Sequence, residues 1–159
     1  MFMKWLRLLF ISLLTVACFK KPKEDVFTRE SDVLSDSSSL RLRAEQHYRK
    51  NEYQDAISGY SALLRIDSLN GQFYYRRAYS YLQTDSFSNA ITDFEKSILL
   101  GYKVPQSYFA MGSIYTMDVE TIRNDSLAIL YFERCLAIDP SFEKARVLLK
   151  HLYTNKQRL

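Results

Sequence analysis

Cysteine, glycine, proline, histidine and tryptophan are all scarce in this chain of 159 residues: two Cys, four Gly, three Pro, two His and one Trp. Two cysteines cannot build a disulfide framework, which excludes a small stapled scaffold. Four scattered glycines leave no Gly-rich loop to cradle a phosphate, and no nucleophile motif is present. His47 and His151 are the only histidines, and neither has metal-ligand spacing around it. No catalytic residue, no metal site and no cofactor are therefore expected, and the chain does not read as an enzyme. A surplus of one charge is missing too. The net charge is +4, falling to +2 without Lys4 and Arg7, and the basic residues are scattered among Asp and Glu. That pattern argues against nucleic acid, which is bound by a concentrated basic face. The apolar run at residues 8–17 is shorter than the roughly 20 residues of an ordinary membrane helix.

What is present begins at the front. Lys4 and Arg7 precede that apolar run, small Ala17 ends it, and Cys18 follows at once. The segment resembles a bacterial lipoprotein signal peptide, with Leu14-Thr15-Val16-Ala17-Cys18 as its lipobox. Thr15 stands where that family usually has Leu, Val or Ile. The resemblance implies cleavage after residues 1–17, with lipidated Cys18 becoming the first mature residue. It also implies a place in the cell envelope, on the periplasmic side or the cell surface. Each buried methylene contributes about 0.8 kcal/mol, so several acyl chains moor a protein firmly where one is marginal. The residues alone leave another reading open, with Cys18 an ordinary apolar residue of an uncleaved anchor or of a leader cut nearby.

Lys20, Lys21 and Lys23 form the one basic run; they suit lipid head groups or a solvated linker equally. Residues 18–36 hold Pro22, alternating charges and Ser/Asp clusters, the composition of a flexible tether. The serines at 35–39 are expected to N-cap the first helix beyond it.

From Leu40 the pattern turns helical and repeats. Ala56-Ile57 recurs as Ala90-Ile91, 34 positions on, and Arg43/Arg77 and Ala44/Ala78 keep the same step. Small residues continue it at Gly112, where a larger side chain would overpack a neighbouring helix. Tyr60, Phe94 and Phe132 are expected to fill the space between hairpins. Asn51 sits at a turn, and Asn tolerates the left-handed conformation that ends helices. Ala128 follows Ala90 by 38 positions, which places a four-residue insertion within 118–124. It is either tolerated loop length or a functional loop. A period of this length, built from paired amphipathic helices, signals an all-α solenoid.

The series Tyr74, Ala78, Tyr81, Ala90, Phe94 and its successor Tyr108, Gly112, Tyr115, Ala128, Phe132, Pro140 resemble the tetratricopeptide repeat. The resemblance covers residues 37–140, and a first repeat with Leu40, His47 and Ser68 is looser. It implies an α-α superhelix over 37–159, with three hairpins near 37–70, 71–104 and 105–140 and a capping helix at 141–155. It further implies that helix A of each repeat lines a concave wall. Here that wall is Arg41, Glu45, Tyr48 and Arg49, then Gln72, Tyr75, Arg76 and Tyr79, then Gln106, Phe109 and Ser113. Tyr and Arg dominate binding energy at many interfaces. Tyr75 and Tyr79 also fit a purely packing role. Some family members grip a terminal peptide carboxylate with a fixed set of Lys, Asn and Arg. Arg41 matches one basic position of that set, but Glu45 and Ala110 stand where Asn and Arg are needed.

Arg43 and Arg77 tend inward, and a buried guanidinium needs a partner. Asp93 is the expected partner of Arg77, because Met111 and Tyr131 replace both charges together one repeat later. Gly59 takes the Asp position opposite Arg43, which leaves that arginine for solvent. Cys135 falls on an apolar helix face and reads as a buried structural thiol. His47 falls in a core-facing slot. The expected role is a membrane-anchored scaffold that docks a protein or peptide. A structural protein that associates with itself, end to end or through 118–124, is the alternative.

Overall fold

A computed structural model describes residues 25–117, 119 and 121–156. The leader 1–17, Cys18 and residues 19–24 of the expected tether lie outside them, as do Asp118 and Glu120 of the insertion. Among the described residues the chain is all helix, in the order α1 (Asp25–Arg49), α2 (Tyr53–Ile66), α3 (Gly71–Gln83), α4 (Phe87–Leu99), α5 (Val104–Tyr115), α6 (Asp125–Ile138) and α7 (Glu143–Lys156). Two compact units divide between Asp36 and Ser37.

In the first unit, residues 25–36 are helical, which corrects the expectation of a flexible tether there. The serines at 35–39 therefore lie inside α1 and do not cap it. No Pro or Gly interrupts 25–49. Once a helix is nucleated, each added residue gains a hydrogen bond, and Ser costs only about 0.5 kcal/mol relative to Ala.

In the second unit, α3 packs on α4 and α5 on α6, while α2–α3 and α4–α5 contacts join successive hairpins. α7 lies against α6 and caps that end. Two hairpins turn identically. Asn51 and Asp85 take left-handed φ values of 61° and 56°. The next amide then donates back into the first helix, Glu52 N to His47 O and Ser86 N to Tyr81 O, both at 2.9 Å. The third hairpin makes the same closure from Asn124 N to Tyr115 O at 2.9 Å, but over four more residues. The insertion thus bulges between the two ends of one retained bond. Asn124 then caps α6 by accepting from Leu127 N at 3.0 Å.

Small residues set the helix separation. Ala44, Ala56, Ala78, Ala90 and Ala128 are all buried. A Cβ on Gly59 would stand 2.7 Å from Ala44 Cβ, and one on Gly112 would stand 2.7 Å from the Phe132 ring. Gly59 therefore serves the approach of α2 to α1 and leaves Arg43 exposed. Tyr60, Phe94 and Phe132 are fully buried, each against a ring of a neighbouring helix: Phe73, Tyr75 and Phe109. Burying such a ring removes roughly 150–250 Å² from water.

Candidate docking site

The helical register puts Arg41, Glu45 and Arg49 on one stripe of α1, four residues apart. Gln72 and Arg76 make the matching stripe on α3. Between the stripes lies an open pocket of about 410 Å³. Its walls are those five side chains with Ser38 and Leu42, and its floor is Phe73 and Tyr60. Three arginines and one glutamate make it cationic.

Glu45 gathers the polar groups. Glu45 Oε1 accepts from Arg49 Nε at 3.1 Å and from Arg76 Nη2 at 3.3 Å. Its Oε2 accepts from the buried Tyr60 hydroxyl at 2.9 Å. The Arg76 guanidinium lies 4.6 Å from the centroid of the Tyr48 ring. Tyr48 in turn meets Tyr60 and Tyr79 edge-on, at centroid separations of 6.3 and 5.8 Å. Burial pushes the Tyr48 phenol up to about 12 despite the opposing pull of Arg76. Burial, with a further push from Glu45, also raises the Tyr60 phenol. Both tyrosines stay neutral at ordinary pH, so Tyr60 remains a donor. Arg41 extends over the Phe73 ring at 5.8 Å and donates to Gln72 Oε1 at 3.4 Å.

Of the residues expected on the wall, Arg41, Glu45, Arg49, Gln72 and Arg76 converge on this pocket, and Tyr48 and Tyr79 buttress it. The others do not join it. Tyr75 packs edge-on against Phe94 and Tyr102, at 5.7 and 5.8 Å. Phe109 is clamped between Phe132 and Phe142, at 5.8 and 5.0 Å. Ser113 donates to its own helix at Phe109 O, and Gln106 is half-buried. The first and second repeats thus carry the pocket, while the cap covers the third. Sequence reasoning missed Leu42, Phe73 and the polar role of Tyr60. Phe73 takes the repeat position held by Ser39 and Ser107, so the periodicity hid it.

Elsewhere, Arg77 meets Asp93 with two bonds, Nε to Oδ2 at 2.6 Å and Nη2 to Oδ1 at 2.9 Å. Nη1 donates to Ser61 Oγ at 3.0 Å. Desolvation works against the Arg77 charge, but the Asp93 carboxylate outweighs it and holds the guanidinium above its ordinary value. Cys135 is fully buried; desolvation, aided by Asp139, pushes its thiol up to about 11, away from the reactive thiolate. His47 corrects the expectation of a packed core residue: it is 38% exposed and bonds Glu52 Oε2 through Nδ1 at 2.6 Å.

Comparison with known proteins gives the class. Residues 71–100, the α3–α4 hairpin, match the family model described as "Tetratricopeptide repeat". The Arabidopsis OM64 TPR domain superposes with a TM-score of 0.64 at 23% identity, over 74% of this chain and 94% of that one. The first TPR of Spaghetti (RPAP3), bound to the HSP90 peptide SRMEEVD, superposes at 0.66 with 19% identity, over 76% and 93%. The chain has the tetratricopeptide-repeat fold. Among curated proteins, rat serine/threonine-protein phosphatase 5 is 24% identical over 80% of this chain. The chain spans only 28% of that protein's length.

Proposed function

We propose that this chain is a membrane-moored docking module which holds an extended segment of another protein between α1 and α3. The observation that carries this reading is the open pocket of about 410 Å³, with an aromatic floor and a cationic rim on rigid helices. A preformed wall spares most of the ordering cost of association, leaving apolar burial and hydrogen bonds to supply affinity. Leu42 and Phe73 offer an apolar seat, and Arg41 with Gln72 offers hydrogen bonds to a peptide backbone. The peptide bound by the Spaghetti (RPAP3) domain supports the mode of use. The reading is of binding without catalysis, the use to which the peptide-bound Spaghetti (RPAP3) domain puts the same fold.

The mooring rests on the front of the sequence. Lipidation of Cys18 would hold the module at a bacterial envelope membrane, on its periplasmic side or at the cell surface. The test uses a photo-crosslinking residue at Leu42, which is 62% exposed on the pocket wall. One dominant adduct in cells is expected, absent when the probe sits at exposed Thr92 and lost on Arg41→Glu. Cys18→Ala should move the protein out of the membrane fraction. Equal adducts from both probes would sink the groove, and unchanged fractionation would sink the anchor.

A further inference from the structure

The Glu45 carboxylate has an unusual environment for a side chain on the wall of an open pocket. Two guanidinium groups and one buried phenol converge on it from three different helices: Arg49 of α1, Arg76 of α3 and Tyr60 of α2. Two of the three donors are fixed before any ligand arrives, while Arg49 is largely exposed. Tyr60 is 1% exposed, and Arg76 is stapled onto Tyr48. Three donors around one carboxylate, two of them preorganised, have the chemistry of an anion site, and here the chain fills that site itself.

We infer that Glu45 is the specificity-determining residue of the groove: an internal carboxylate that occupies the arginine cluster and turns away acidic chain ends. The inference rests on the groove being a docking surface and adds which segments it admits. An incoming carboxylate faces two obstacles. Glu45 is tethered beside its donors, so it competes at a very high effective concentration. Unless displaced, it also sets a like charge against the newcomer, and such juxtapositions discriminate between partners. What stays open to a partner is the Leu42 surface, the little of Phe73 that is exposed, and the Arg41 guanidinium, whose bond runs to the uncharged Gln72 amide. The partner is therefore an internal, extended protein segment that sets an apolar side chain on Leu42 and a backbone carbonyl on Arg41, without a terminal carboxylate in the cluster.

The experiment titrates the full chain with the peptide SRMEEVD as free acid and as C-terminal amide. The wild-type protein should bind the two forms within about threefold of each other. Glu45→Gln keeps the side-chain length and an oxygen for Tyr60. It should bind the free acid at least tenfold more tightly than wild type does, and prefer it to the amide. Adding Arg76→Gln should abolish that gain. A wild-type protein that prefers the free acid tenfold overturns the inference, as does a folded Glu45→Gln protein with no gain. The wild-type comparison decides the matter alone if the variant does not fold. Failure of the Leu42 crosslink would remove the docking role while leaving the peptide switch at Glu45 intact, so the two readings fail separately.

Discussion

The second and third hairpins fill the same slot with opposite chemistries. In each, two tyrosines of helix A stand seven residues apart, Tyr74 and Tyr81 in α3 and Tyr108 and Tyr115 in α5. In the second hairpin the Arg77 guanidinium enters between them, 5.7 and 5.8 Å from the two ring centroids, and is neutralised by Asp93. In the third, the ring of Tyr131 enters instead, 6.2 Å from Tyr108 and 5.7 Å from Tyr115 and stacked on both. Met111 buries where the arginine stood, and Arg134 caps the stack from outside. The first hairpin has Leu40 and His47 in place of the tyrosines; it lacks the slot, and its Arg43 goes to solvent. One repeat geometry thus accepts a paired charge or an aromatic wedge. The two solutions differ in how they fail. A buried pair that loses one member leaves an uncompensated charge, whereas an aromatic stack loses only packing.

The largest expected effect comes from breaking the pair. Asp93→Ala should destabilise the protein by about 3 kcal/mol, read by denaturant unfolding. Transplanting the third hairpin's answer, as Arg77→Met with Asp93→Tyr, should recover most of that loss. A single Asp93→Ala with wild-type stability would end the view that the charges hold this hairpin.

Next comes the spacing of the third hairpin. Gly112→Ala drives a Cβ into the fully buried Phe132 ring, at 2.7 Å from its nearest atom. Overpacking of this kind should cost about 2 kcal/mol, despite the better helix propensity of Ala. A more stable variant would mean that Phe132 has room to yield.

The smallest effect tests the outside of the stack. Arg134 is exposed above Tyr108 and Tyr131, so Arg134→Gln should cost about 0.5 kcal/mol, the scale of an exposed cation–π contact. A loss as large as that of Asp93→Ala would show that both hairpins depend on a cation after all.

Much of this was legible in the chain. The 34-residue step of Ala44, Ala78 and Gly112 announces the helical pairs, since only small residues tolerate such close approach. The Arg77–Asp93 pair could be read because both charges disappear together at Met111 and Tyr131. The pocket was legible in five of its nine lining residues. Arg41, Glu45, Arg49, Gln72 and Arg76 follow from helical register, but register cannot say which exposed residue is later covered. Phe109 belongs to the same stripe as Tyr75, yet Phe142, brought in by the cap, lies against it. Residues 25–36 misled for a different reason. Their polarity argues against burial, but a helix that continues from a packed segment needs no burial to propagate.

The sequence by itself determined the repeat, its hairpins, the small contact residues and the charge pair inside the second hairpin. Each depends on periodicity, and periodicity is a property of one dimension. Only the tertiary structure decided that Glu45 meets Arg76 and Tyr60, and that Phe73 floors a pocket shared by α1 and α3. Those groups come from three helices. Their meeting depends on how far apart and at what angle the helices pack, and no spacing along the chain encodes that.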